Sequence, residues 1–243
     1  MTPLETRPIP VYLADKDRPF WGYAELLLAA AAFIVTTILG FSAMRALGAV
    51  LHFDPQSGLP LLAIEFGAYA VVFLTLKGLF ARYGHPLFES LAWIEQPFKP
   101  LHLVVLGVVL ALIVVVLGNL MRFPNVETPF DKLLNDPLSR IAISIFGVTL
   151  GPIVEELLFR GFLQPVLVDS FGVLPGIIVT SVVFGAMHLT QNANLWQSGV
   201  LIALVGFVLG VVRHVSGSTR ASAIVHVSYN ALPFVVMIAT GGK

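Results

Sequence analysis

The chain contains no cysteine and carries little charge. Without cysteine, disulfides, zinc–thiolate centres and thiol nucleophiles are excluded. Charged residues make up 12% of the 243, about half the share of an ordinary soluble domain. Fourteen Lys and Arg balance fourteen Asp and Glu. No basic excess is present to neutralise phosphates, so no nucleic-acid partner is expected. Disorder is excluded too, because it needs high charge and few apolar residues, and 57% of this chain is hydrophobic. A mean hydropathy of +0.89 indicates a protein whose surface is solvated by lipid.

Residues 1–21 form a polar, proline-containing tail with no apolar stretch typical of a signal peptide. Residues 22–243 then read as one transmembrane domain. A bilayer core about 30 Å thick needs roughly 20 apolar residues in a helix. Stretches near Gly22–Ala49, Leu59–Ala81, Leu101–Met121, Leu138–Val168, Leu174–Leu189, Leu195–Val212 and Ala221–Ala239 meet or approach that length. Only helices or closed barrels satisfy the backbone in lipid. The expected fold is therefore all-α and polytopic, with about seven spans (six to eight). The fourth stretch is too long for a simple span, and Pro152 is expected to break it. The segment Gly84–Pro100 reads as amphipathic, with Trp93 at an interface. A multi-pass protein is implied, in the plasma membrane if the source is prokaryotic.

Charges inside spans are costly and usually mark function. Glu25, Glu65 and Lys77 in the first two spans name no partners and read as structural. The later spans differ. The fourth carries Glu155, Glu156 and Arg160, the fifth Phe184 and His188, the sixth Phe207 and Gly210, the seventh His226 and Asn230. Glu156 and Arg160 are spaced i,i+4 and share a helix face as an ion pair. Glu155 is rotated about 100° away and is the freer carboxylate. With a turn near Phe171–Gly172, Glu155 and His188 both lie about 25 Å from it, so they face each other. Asn230 reaches a similar level. Gly210 reads as a packing residue.

A carboxylate beside an imidazole can position a water and take its proton. A second imidazole and an amide can donate to an oxyanion. That set suits amide hydrolysis. Glu155, His188 and His226 would also be adequate zinc ligands, although there is no His-Glu-x-x-His and no Gly-x-Ser-x-Gly. A proton-relaying transporter fits less well, because the spans show no two-half repeat.

These residues resemble the CPBP intramembrane protease family, which includes type II CAAX prenyl endopeptidases and bacteriocin-processing or immunity proteins. The family pattern of Glu-Glu-x-x-x-Arg, Phe-x-x-x-His, Phe-x-x-Gly and His-x-x-x-Asn occurs here in order, within about residues 138–240. The resemblance implies an endopeptidase whose site lies among the last four spans. Glu155 and His188 would activate water, and His226 and Asn230 would form the oxyanion site. Glu156, Arg160, Phe184 and Gly210 would support them. The implied partner is a membrane-associated peptide or protein within the bilayer, and no prenylated substrate is assumed. The family leaves open both a metal-free glutamate mechanism and a zinc one. The alternative is a non-catalytic membrane scaffold or an immunity protein of the same family.

Overall fold

The structure, a computed structural model, describes residues 18–124 and 126–239, with side chains described to 236. The expected tail falls mainly outside the described residues. Every described regular element is helical. The long helices are α1 (Tyr23–Leu51), α2 (Gly58–Arg82), α4 (Pro100–Leu120), α10 (Trp196–Ser216) and α11 (Thr219–Ala239). Short helices α3 (Leu87–Ser90) and α5 (Pro129–Leu133) lie in the connections. Between α5 and α10 run α6 (Pro137–Val148), α7 (Leu150–Glu156), a π-helical stretch (Leu157–Leu163), α8 (Gln164–Phe171) and α9 (Val173–Met187).

All seven apolar stretches become helical. Five segments are long and apolar enough to cross a membrane: Tyr23–Leu51, Gly58–Arg82, Pro100–Leu120, Pro137–Phe171 and Trp196–Ser216. The other two expected spans fall on α9 and α11. Helix α9 has only 15 residues, short of the roughly 20 that a bilayer core requires. Helix α11 has 21 residues but carries Arg220, His226 and Asn230.

Polarity is inverted relative to a water-soluble protein. Glu156, Arg160, Gln164, Thr180, Arg213, Thr219 and His226 are buried, whereas Leu39, Leu74, Leu112, Val116, Ile145 and Val182 face outward. Apolar side chains meet lipid, and polar ones find partners inside the bundle. Glycines let the helices approach. A methyl group on Gly107 of α4 would overlap the Val225 carbonyl of α11, and one on Gly185 of α9 would overlap the Gly199 carbonyl of α10.

The fourth stretch breaks as its proline requires. Helix α6 ends at Val148, and Thr149 leaves the helical region (φ −118°, ψ −84°). Pro152 then sits in the first turn of α7, where its missing N–H costs least. The first residue of α6 is also a proline, Pro137, and Asp136 caps the helix by accepting from Ser139 N–H at 2.7 Å. That bond holds the Asp136 carboxyl below the ordinary range.

The amphipathic segment after α2 is mostly irregular. Only Leu87–Ser90 is helical, and Leu91 is fully buried. Its carbonyl accepts from Thr219 Oγ1 (2.6 Å), and the Ile94 carbonyl accepts from Ser218 Oγ (2.6 Å). Trp93 packs half-buried against the core that includes Trp21, Phe80 and Phe162. Hydroxyls at the start of α11 draw this backbone inward, because buried carbonyls need donors.

Candidate active site

The site is built where α7, the π-helical stretch, α9, α10 and α11 meet. Glu156 and Arg160 are both fully buried, and Arg160 Nη1 donates to Glu156 Oε1 at 2.7 Å. The expected i,i+4 pair is present. Arg160 Nη2 also donates to the Gly206 carbonyl of α10 at 2.9 Å. Its guanidinium carbon lies 4.5 Å from the centre of the Phe184 ring, a cation–π arrangement. A buried charge needs several such partners, since desolvation outweighs a single poor contact.

Four residues further on, Gln164 Nε2 donates to the Gly210 carbonyl at 3.1 Å. The stripe Glu156–Arg160–Gln164 therefore docks on the stripe Gly206–Gly210. Each helix carbonyl has a second lone pair, and the missing Cβ at these glycines lets a side chain reach it. The Phe207-x-x-Gly210 motif thus has a packing and hydrogen-bonding basis. Gln164 was not singled out from the sequence, although its i+4 relation to Arg160 and the matching Gly206–Gly210 spacing were available signals. The π turn carrying Arg160 had no sequence signal; such bulges concentrate at functional sites.

His226 joins this network from α11. Its Nδ1 lies 3.0 Å from Glu156 Oε1, and its ring is buried. Because that carboxylate oxygen accepts, Nδ1 carries the hydrogen. The other nitrogen, Nε2, lies 3.8 Å from Glu155 Oε2. His188 approaches Glu155 from the other side, with Nε2 3.9 Å from Oε1. Its Nδ1 donates to the Phe184 carbonyl at 2.8 Å, which leaves Nε2 with the free lone pair in the neutral ring. The Glu155 and His188 side chains are 19% and 22% exposed, so this pair opens outward while Glu156 does not.

Phe184 holds several parts together. It meets Phe159 edge-on at 5.0 Å and the His188 ring at 4.7 Å. Asn230 does not join the Glu155–His188 pair through a hydrogen bond. Its amide donates to the Gly147 carbonyl near the end of α6, at 2.8 Å, and its second amide hydrogen is left over. The structure thus brings Glu155, Glu156, Arg160, His188 and His226 together, with Phe184 and Gly210 as supports. Asn230 braces α11 against α6.

Among the described residues, no group of three His, Asp or Glu is arranged to hold a metal ion. The nearest candidates, Glu155, His188 and His226, are separated by 3.8–3.9 Å across the carboxylate oxygens. No step is routed through zinc.

Residues 137–232 match the family model of type II CAAX prenyl endopeptidase Rce1-like proteins. The resemblance carried by the four motifs is borne out over this range, which runs from the start of α6 into α11 and leaves α1–α5 outside. No curated protein and no solved structure matches the chain.

Proposed function

We propose, from the match of α6–α11 to a type II CAAX prenyl endopeptidase family, that this chain is an intramembrane endopeptidase acting on a membrane-associated peptide or protein. The observation that carries the reading is the position of Glu155 between two imidazoles whose Nδ1 atoms are already committed elsewhere.

The gap of 3.9 Å between Glu155 Oε1 and His188 Nε2 is too long for a direct hydrogen bond. Both atoms accept, and a water between them can donate one hydrogen to each. That leaves its lone pair free for a substrate carbonyl. On attack, the water oxygen bonds to the carbonyl carbon, a water proton passes to Glu155, and the carbonyl π pair moves to oxygen. The His226 ring lies between the Glu156 and Glu155 carboxylates, with Nδ1 toward Glu156 and Nε2 toward Glu155. Its Nε2–H and the second amide hydrogen of Asn230 would receive the oxyanion. When the C–N bond breaks, the leaving nitrogen takes the proton from Glu155, and the acid product gives the second water proton to His188 Nε2, which passes it to the released amine, so that the product departs as a carboxylate.

The buried Glu156–Arg160 pair would then serve to hold His226, and Phe184 to hold His188. The test is cleavage in proteoliposomes of one quenched fluorescent CAAX-type peptide in farnesylated and bare forms, alongside a randomised peptide library. Cleavage that disappears in Glu155→Gln supports the reading. A chain that cleaves nothing, or whose cleavage survives that substitution, contradicts it and favours a binding role.

A further inference from the structure

The polar stripe that docks on α10 borders a small cavity. Arg160 and Gln164 line it, with Pro165 and Val168 from α8 and Arg213 and His214 near the end of α10. Its volume is about 10 Å³, room for one water and for nothing larger.

Two polar atoms of the lining residues have no hydrogen-bond partner among the described residues: Arg160 Nε and Gln164 Oε1. Both side chains are buried, at 0% and 3% exposure. Their hydrogen-bonding roles are set by their neighbours. The Nη atoms of Arg160 already donate to Glu156 and to the Gly206 carbonyl, so Nε–H is the remaining donor. The Gln164 amide cannot be turned over. Its nitrogen faces the Gly210 carbonyl, and an oxygen there would meet a second acceptor. Oε1 is therefore an acceptor in need of a donor. Buried donors and acceptors of this kind are costly unless paired.

We propose that this cavity binds a single water, which accepts from Arg160 Nε–H and donates to Gln164 Oε1. The two atoms select the ligand. An anion could take the Arg160 hydrogen but would face the lone pairs of the Gln164 oxygen. A cation would face the Arg160 and Arg213 guanidinium groups. Water fits the volume and both accepts and donates. It completes a ladder of Glu156, Arg160, water and Gln164 along α10, and it holds the third edge of the guanidinium that pairs with Glu156. This water is distinct from the one placed between Glu155 and His188, and its site does not depend on the endopeptidase reading.

A structure of the full chain in lipid, at a resolution that shows ordered water, tests the assignment. One density peak is expected about 2.7–3.2 Å from both Arg160 Nε and Gln164 Oε1. A dry cavity, a direct bond between the two side chains, or a halide in place of water after a bromide soak overturns it. Nuclear magnetic resonance of the protein labelled with 15N-arginine gives a second readout. The Arg160 Nε–H signal is expected to show a cross-peak to water, reduced at least about fivefold in Gln164→Leu because the water loses one of its two partners. A cross-peak that is missing in the unsubstituted chain, or unchanged in Gln164→Leu, overturns the proposal. If Gln164→Leu does not fold, the density in the unsubstituted chain decides alone.

Discussion

His226 Nδ1 lies 3.0 Å from Oε1 of Glu156, the same oxygen that accepts from Arg160 at 2.7 Å. The two adjacent glutamates therefore do different work. Glu156 is fully buried and committed twice, whereas Glu155 is partly open and has no hydrogen bond of its own among the described residues.

That division predicts opposite responses to substitution. Glu156→Ala leaves Arg160 buried without its carboxylate, and breaking a buried pair in this way costs about 3–5 kcal/mol. Glu155→Gln removes a partly exposed group and is expected to cost less than about 1 kcal/mol. Thermal unfolding in detergent, measured beside activity, separates the two. A large stability loss in Glu155→Gln would contradict the division.

The helix contacts set a second expectation. A methyl group on Gly210 would lie 2.8 Å from Ile177 Cγ2 and 3.0 Å from Gln164 Oε1. On Gly107 and Gly185 it would meet backbone carbonyls, which cannot yield as a flexible side chain can. Alanine at any of the three is expected to destabilise by about 1–3 kcal/mol. Gly67 and Gly78 have open space around them, and alanine there is expected to be neutral or slightly stabilising. Melting temperatures of the five variants check the ordering.

Asn230 offers a third. Asn230→Ala removes the donor to the Gly147 carbonyl, a cost of about 1 kcal/mol. If its second amide hydrogen receives the oxyanion, kcat falls by about 10²–10³, far more than the stability change implies. A kcat reduced only as much as the folded fraction would leave Asn230 purely as a brace.

Much of this architecture was legible in the sequence because membrane helices announce themselves by unbroken apolar length. The Glu156–Arg160 pair followed from its spacing, and the break before Pro152 from its missing N–H. What could not be read required helices to meet. The Gly84–Pro100 segment reads as amphipathic in isolation, yet Thr219 and Ser218 at the start of α11 pull its Leu91 and Ile94 carbonyls inward. Asn230 was expected beside His188, and its amide donates to the Gly147 carbonyl of α6. Glu65 named no partner from its sequence surroundings, although its donor Tyr69 lies one turn on in the same helix.

A metal experiment follows from the donor arrangement. Protein purified without added ions is expected to carry zinc well below one equivalent and to keep its cleavage rate in chelator. Stoichiometric zinc lost together with activity, and lost also in His188→Ala and His226→Ala, would contradict the metal-free step.

The central claim is that Glu155 takes the water proton between the two imidazoles. Single-turnover cleavage by Glu155→Gln in proteoliposomes, at saturating peptide and with folding verified, tests it most directly. The account predicts a rate reduced by at least about 10³ with peptide binding retained, since a neutral amide cannot accept the proton. A Glu155→Gln protein that cleaves within tenfold of the unsubstituted chain would contradict it.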